Sequence, residues 1–354
     1  MKDHSATAAP TLLDVARHAD VSLATADRVV NRRPGVRPAT IERVEAAVRE
    51  LGFERHAGAA ALARRSGFRV TAILPRLTNP FVARLAAELG TACRVEGRRR
   101  LSLTLDEMGH ASPALLASAL ERAAEAGDAV IAMGLDDPAV AAAIDAAAEK
   151  GVHVVTLVSD VPGSARHRYV GIDNRAAGRV AANLVGRFAA DPAGRVLVVL
   201  GSLGLRDHRD RLEGFRAALA EGFPGMAVAG VVEGEDDVDR TRSAVARALA
   251  GQPPPCAVYS AGAGTSGLAA ALAEAGIARV VIGHELTGET RPLLEEGVLD
   301  ALIVQDPGHE ARSAVRILMA ALTGTSLNEN QERIRIEVLF KDNLPAAELP
   351  ASGS

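Results

Sequence analysis

The chain has 354 residues, 48% hydrophobic, 24% charged and 3% aromatic with no Trp. That is enough chain for two or three domains of ordinary folded composition, with too few aromatic rings for a base-stacking surface or an aromatic cage. Cys93 and Cys256 are its only cysteines, which excludes a disulfide scaffold or zinc ribbon and fits a reducing, cytoplasmic location. No apolar run approaches the roughly 18 residues of a membrane helix, and the opening MKDHSATAAP lacks the apolar stretch of a signal peptide. The net charge of −4 is unevenly spread. Residues 1–66 hold eleven basic and eight acidic side chains, a balance of +3, which leaves −7 on the rest. A basic head on an acidic body is the asymmetry expected when one end meets a polyanion.

Residues 1–10 read as a flexible tail. Thr11-x-x-Asp14 is a capping-box pattern that opens a first helix, with Leu12, Val15, Ala16 and Ala19 on one face. Ser22 caps a second helix that carries Thr25, Ala26, Val29 and Val30. Asn31-Arg32-Arg33-Pro34-Gly35 is a loop, and Pro38 is placed to open a third helix with the stripe Ile41, Val44, Ala47, Val48 and Leu51. Three short helices with a turn at 19–21 are helix-turn-helix geometry, although an ordinary helical hairpin reads the same way. The Ala-rich segment RHAGAAALARRS (55–66) reads either as a plain linker or as a short helix that forms only in context.

From Arg69 the pattern changes. Ten strands are predicted, at 69–75, 100–106, 129–134, 153–159, 167–172, 195–201, 227–233, 256–261, 279–285 and 300–305. Amphipathic helices alternate with them at about 80–97, 112–126, 138–149, 174–190, 207–221, 237–250, 266–275, 288–296 and 308–323. Alternation of this kind builds right-handed βαβ units and parallel sheets, and ten strands suit two lobes better than one open sheet. Ligands of such folds bind beyond the carboxyl ends of strands. The polar residues there are Asn79, Ser159, Asp160, Asp173, Asn174, Arg209, Arg211, Glu285, Gln305 and Asp306. Taken singly each reads as a helix cap or surface ion pair; their recurrence suits a hydroxyl-rich ligand in a cleft. Gly262-Ala263-Gly264-Thr265-Ser266-Gly267 fits G-x-G-x-x-G between a strand and a helix, with Glu285 about 20 residues on, so a nucleotide-binding α/β enzyme is the alternative. Asp207-His208 and His284-Glu285 read as isolated surface or cleft neighbours. No nucleophile elbow, P-loop or H-E-x-x-H pattern points to a catalytic set, and no metal-ligand spacing occurs.

The segment TLLDVARHADVSLATADRVVNRRPGVRPATIERVEAAVRELGF (11–53) resembles the DNA-binding domain of the LacI/GalR family of bacterial transcription regulators. The resemblance continues through Asn79-Pro80-Phe81, VGIDNRAAGR (170–179) and the R-x-x-G-F of Arg211 to Phe215. It implies an α/β fold: a two-lobed periplasmic-binding-protein-like core of parallel sheets flanked by helices, with an N-terminal three-helix helix-turn-helix domain at 11–54. A hinge helix would occupy 55–66 and the core 67–345, its N-lobe about 67–173 and 306–325, its C-lobe about 174–305 and 326–345, before a flexible tail at 346–354.

By position, the resemblance puts Leu23, Ala24 and Arg28 at base edges, where Arg pairs with guanine and apolar side chains meet thymine methyls. It puts Thr11, Ser22, Thr25, Asn31, Arg37 and Thr40 on phosphates, and Ala59 and Leu62 on the hinge, Leu62 as a minor-groove wedge. Asn79, Phe81, Ser159, Asp160, Asp173, Arg211, Glu285 and Gln305 fall on or near effector positions. The chain departs from the family in two places: Asp27 replaces a Ser, and Gly262-Ala263-Gly264 replaces Asn-Asp. Gly58 in the hinge costs about 1 kcal/mol of helix stability relative to Ala. The tail after Leu344 lacks the heptads of a tetramerisation helix. The implied protein is a cytoplasmic homodimeric repressor of pseudo-palindromic operator DNA. It answers to a small polar, sugar-like effector and has no cofactor, no metal and no membrane partner.

Overall fold

The computed structural model describes residues 12–30, 35–51, 67–97, 101–109, 112–277 and 279–346. The chain divides into two compact units, the smaller holding residues 12–51 and the larger spanning 64–322 and 326–354.

The small unit has the three expected helices, α1 (Leu12–His18), α2 (Leu23–Val30) and α3 (Pro38–Leu51). Val15, Ala19, Val29, Val44 and Ala47 form its core. The α1–α2 turn closes by Ala19 N–H to the Val15 carbonyl (2.9 Å) and Val21 N–H to that of Ala16 (3.0 Å). Asp20 sits at φ 48°, a left-handed conformation that Asp tolerates better than most residues. Ser22 Oγ accepts from Thr25 N–H at 3.2 Å, the capping bond expected of it.

The large unit contains two sheets. The first holds β1 (Phe68–Leu74), β2 (Leu101–Glu107), β3 (Ala129–Ala132), β4 (His153–Leu157) and β5 (Arg168–Val170), in the order β2-β1-β3-β4-β5, all parallel. The second holds β6 (Arg195–Leu200), β7 (Ala227–Glu233), β8 (Ala257–Ser260), β9 (Val280–His284), β10 (Ala301–Val304) and β11 (Glu337–Leu339), in the order β11-β10-β9-β8-β6-β7. All ten predicted strands are present. The eleventh, β11, was not predicted: it is three residues long and runs antiparallel on the edge beside β10, so no crossover helix announces it.

Helices cover both faces of the first sheet. Ile73, Val130, Ala132 and Val154 face α5 (Pro113–Ala126) and α6 (Pro138–Glu149), while their strand neighbours Ala72, Leu74, Ile131 and Val155 share a core with α4 (Pro80–Val95). This alternation explains why central strands such as β3 are buried at every residue.

One helix pair fixes the geometry of the polar residues that follow. α7 (Asn174–Phe188) crosses α8 (Arg206–Gly222) at two glycines. A Cβ on Gly178 would stand 2.0 Å from the Arg211 carbonyl oxygen, and one on Gly214 would stand 2.1 Å from that of Arg175. The R-x-x-G-F sequence therefore has a packing cause: Gly214 admits α7, and Phe215 stacks on Tyr259 with centroids 4.7 Å apart. The remaining helices are α9 (Val238–Leu249), α10 (Thr265–Glu274), α11 (Thr290–Glu295) and α12 (Pro307–Thr323). Among the described residues no helix is long and apolar enough to cross a membrane. Replacing Gly214 by Ala is expected to destabilise the body by about 1–3 kcal/mol through overpacking, read as a lower urea midpoint; an unchanged midpoint would show that the helices separate freely at this crossing.

Candidate functional site

In the small unit the start of α2 is open to solvent. Leu23 is 49% exposed although it is a large apolar residue. Ser22, Arg28 and Arg37 are exposed, and Thr25 and Thr40 are half-buried. Ser22 and Thr25 pair their hydroxyls at 2.9 Å. Ala24 lies on α2, its side chain outside the described set; Thr11, Asn31, Ala59 and Leu62 lie outside the described residues altogether.

In the large unit the polar strand-end residues divide into two groups. Asn79 caps α4, accepting from Phe81 N–H (3.0 Å) and Val82 N–H (3.4 Å). Asp173 caps α7 through Ala176 N–H (3.0 Å), and Asp306 accepts from Gly308 N–H (2.8 Å) and His309 N–H (3.0 Å) at the start of α12. Phe81 packs partly buried against the main core. Asp160 accepts from Arg166, Thr156 and Val161 N–H. Burial works to raise its carboxyl, but the Arg166 and Thr156 hydrogen bonds outweigh burial and hold it below the usual range. Ser159 is buried and its Oγ has no partner among the described residues.

The second group converges on one guanidinium. Arg211, 4% exposed, donates from Nε to Asn174 Oδ1 (2.8 Å) and from Nη1 to the Ala261 carbonyl (2.8 Å). Its Nη2 stands 3.8 Å from Glu285 Oε1. Gln305 Nε2 donates to that same Glu285 oxygen (2.9 Å). Asn174 Nδ2 donates to the Tyr169 hydroxyl at 3.5 Å. A polar chain thus runs Tyr169–Asn174–Arg211–Glu285–Gln305, from the end of β5 in one sheet to the ends of β9 and β10 in the other. Glu285 holds φ 61°, a strained placement for a non-glycine residue that aims its carboxyl at this network.

Around the network lie polar groups of two kinds. His284 donates to or accepts from the Tyr259 hydroxyl at 2.8 Å; burial, with Arg211 and His208 nearby, pushes its ring well below its ordinary value. Burial raises Glu285 to about 7 although Arg211 and Gln305 pull the other way. Burial also pushes Glu310 well above its ordinary value, and the neighbouring Glu285 and Asp306 add to the shift. Glu310 was not among the predicted residues. Its signal was nevertheless present, since it is an acid on the buried face of α12 that also carries Pro307, Ala311 and Ala314. Asp207, one turn before Arg211 and next to His208, is buried.

The first sheet's loops reach the second at two points. Asp136 Oδ2 accepts from Arg206 Nη1 (2.8 Å) and Arg209 Nη2 (3.1 Å), and Leu205 packs on the core beneath α5 and α6. A surface cavity of about 410 Å³ near Arg216 and Met226 lies at the opposite ends of the strands from this cluster.

The glycine loop at 262–267 is occupied by the protein's own acids. Asp236 Oδ1 accepts from Ala263 N–H (2.8 Å) and Glu289 Oε1 from Ser266 N–H (2.5 Å). Those amides would otherwise cradle a phosphate, so two carboxylates stand where a pyrophosphate is required.

The two-sheet body with a polar cluster at facing strand ends defines a periplasmic-binding-protein class of domain. Residues 70–326 match the periplasmic binding protein domain, and residues 11–56 match the bacterial regulatory proteins of the lacI family. The chain therefore belongs to the periplasmic binding protein domain family over residues 70–326 and carries a segment of the bacterial regulatory proteins of the lacI family at residues 11–56. It is 43% identical over 76 residues to catabolite control protein A of Priestia megaterium, covering 22% of this chain and 23% of that one. It is 33% identical over 215 residues to an HTH-type transcriptional regulator, itself uncharacterized, from the aml 5' region of Streptomyces limosus, covering 60% and 59%. The matched stretches thus span about a quarter and under two thirds of those relatives. In fold it resembles GanP, a glucose-galactose binding protein from Geobacillus stearothermophilus, with TM-score 0.72, 22% identity and coverage of 79% of this chain and 100% of that one.

The raised Glu310 gives a pH test. A carboxyl held above its unfolded value of 4.5 stabilises the fold fully at low pH, and that contribution is lost as pH rises. Glu310→Gln carries no titrating proton. The stability difference, variant minus wild type, is therefore expected to grow between pH 5 and pH 8 by up to about 1.4 kcal/mol per unit. A difference flat with pH in denaturation curves would mean that Glu310 ionises as freely in the fold as in the unfolded chain.

Proposed function

We propose that this chain is a sequence-specific, cytoplasmic transcriptional repressor that binds pseudo-palindromic operator DNA as a homodimer. Its DNA affinity is set by a small polar, sugar-like effector held between the lobes. The observation that carries the effector reading is the Arg211 network, a buried guanidinium with its amide and carboxyl partners at the strand ends of both sheets. Planar donors and paired acceptors against apolar walls are what a hydroxyl-rich ligand requires. The fold likeness to a glucose-galactose binding protein supports the same class.

The DNA reading rests on the head. Arg28 and Leu23 are exposed on α2, the helix that would enter the major groove. Leu23, Ala24 and Arg28 would then read bases, while Thr11, Ser22, Thr25, Asn31, Arg37 and Thr40 hold phosphates and Ala59 and Leu62 act in the hinge. One head binds a half-site weakly; two on a dimer gain effective concentration. Taking the lobes as 67–173 with 306–325 and 174–305 with 326–345, ligand in the crevice selects one arrangement of the lobes and so one spacing of the heads. A coupling of about 1–3 kcal/mol gives roughly 5–150-fold control.

Selection of bound sites from random DNA, with and without a sugar panel, tests this reading. A palindromic consensus whose retention changes with one sugar is the expected result; no enriched sequence would defeat it. Within the consensus, Arg28→Ala is expected to cost about 1–3 kcal/mol at one base pair, and unchanged discrimination there would reject α2 as the reading helix.

A further inference from the structure

The Arg211 network offers more acceptors than its own donors satisfy. Glu310 is 0% exposed, and neither of its carboxyl oxygens has a hydrogen-bond partner among the described residues. Asp207 is 7% exposed and its Oδ1 has none; Gln305 is 4% exposed and its Oε1 has none. Glu285 and Glu310 lie within electrostatic reach of one guanidinium and Asp207 within reach of Glu285; that guanidinium donates to Asn174 and Ala261 and stands 3.8 Å from Glu285.

The neighbouring groups do not make up the deficit. His208 Nδ1 accepts from Ser202 N–H at 3.2 Å, and its Nε2 stands 3.8 Å from Asp207 Oδ2, beyond hydrogen-bond distance and on the oxygen other than the unpartnered Oδ1. Burial keeps the His284 ring neutral beside Tyr259. The Tyr169 hydroxyl bonds the Val158 and Ile172 carbonyls. Arg166 is spent on Asp160, and Arg312 lies 3.6 Å from Asp306. Buried acceptors without donors are costly to hold. A neutral polyol brings about as many new acceptors as donors, whereas an ammonium brings three donors and no acceptor.

We propose that the effector of this crevice is an amine-bearing polyol, an amino sugar or close relative, whose ammonium is held by Asp207 and Glu310 while its hydroxyls meet Arg211 and Gln305. This rests on the reading of the crevice as the effector site. On binding, the carboxyl proton of Glu310 passes to solvent and an ion pair with the ammonium takes its place, so uptake of ligand releases protons.

Isothermal titration of the full-length protein at pH 7 tests this with D-glucosamine, D-galactosamine and D-mannosamine against D-glucose, D-galactose and D-mannose. At least one amine is expected to bind about tenfold or more tightly than its neutral parent, the scale of a charge-assisted hydrogen bond. Its heat should shift between buffers of different ionisation enthalpy, as proton release requires, and N-acetylation should abolish the advantage. Glu310→Gln should bring amine and parent level, and Asp207→Asn provides the same test if the first variant fails to fold. Neutral sugars binding as well as their amines, or an advantage that survives in both variants, overturns the proposal and leaves the effector site standing. Failure of every sugar, charged or neutral, overturns the proposal and counts against the effector site as well.

Discussion

A guanidinium held out of water sets the terms for the rest of the body. Arg211 cannot shed its proton, so its charge must be met wherever the fold places it, and here it is met by Asn174, the Ala261 carbonyl and Glu285. Removing one partner of such a buried set costs about 3–5 kcal/mol, more than replacing the whole set with apolar groups would. The arrangement is therefore poor as a stabiliser and serves position. That position comes from backbone packing. Gly178 and Gly214 bring α7 and α8 close enough for Asn174 to touch a side chain one turn before the crossing.

The glycine pattern at 262–267 shows how the same backbone demands arise without the ligand they suggest. Gly264 holds φ 81°, and a Cβ on Gly267 would fall 2.0 Å from the Val238 carbonyl of α9. A tight strand-to-helix turn and close helix packing require glycines here just as in a dinucleotide site. The difference lies in the acids: Asp236 and Glu289 satisfy the loop amides from within. A loop that caps itself with carboxylates repels phosphate.

Much of this was legible in the sequence because the two hydrophobic periods differ so clearly. Strands buried on both faces read as unbroken aliphatic runs, and the helices between them keep a 3.6-residue stripe, so ten strands emerge within a residue or two of their bounds. The site was harder for a physical reason. A strand end is followed by a helix start, and helix starts need short acceptors whether or not a ligand is present. Asn79, Asp173 and Asp306 meet that need, while Asn174, Arg211, Glu285 and Gln305 face the network, and sequence position alone does not separate the two uses. Glu310 differs, because an acid in register with Ala311 and Ala314 contradicts its own stripe. β11 left no trace of either kind, being a three-residue edge strand with no crossover.

The ion pairs that start at the lobe contact of Asp136 and run along α7 and α8 have a different character from the buried network. From Asp136 the charges continue through Arg206 to Asp210 (Nε to Oδ2, 3.2 Å) and on to Arg175 (3.3 Å), which also meets Glu213. All of them keep substantial contact with water, and such pairs contribute about 0–1 kcal/mol each. They do not lock the lobes together. They lie along the α7–α8 crossing, which also carries Arg211. Each such pair adds little to the free energy of the arrangement it spans. The strong interactions are reserved for the interior, where Arg211 is desolvated and a lost partner is costly.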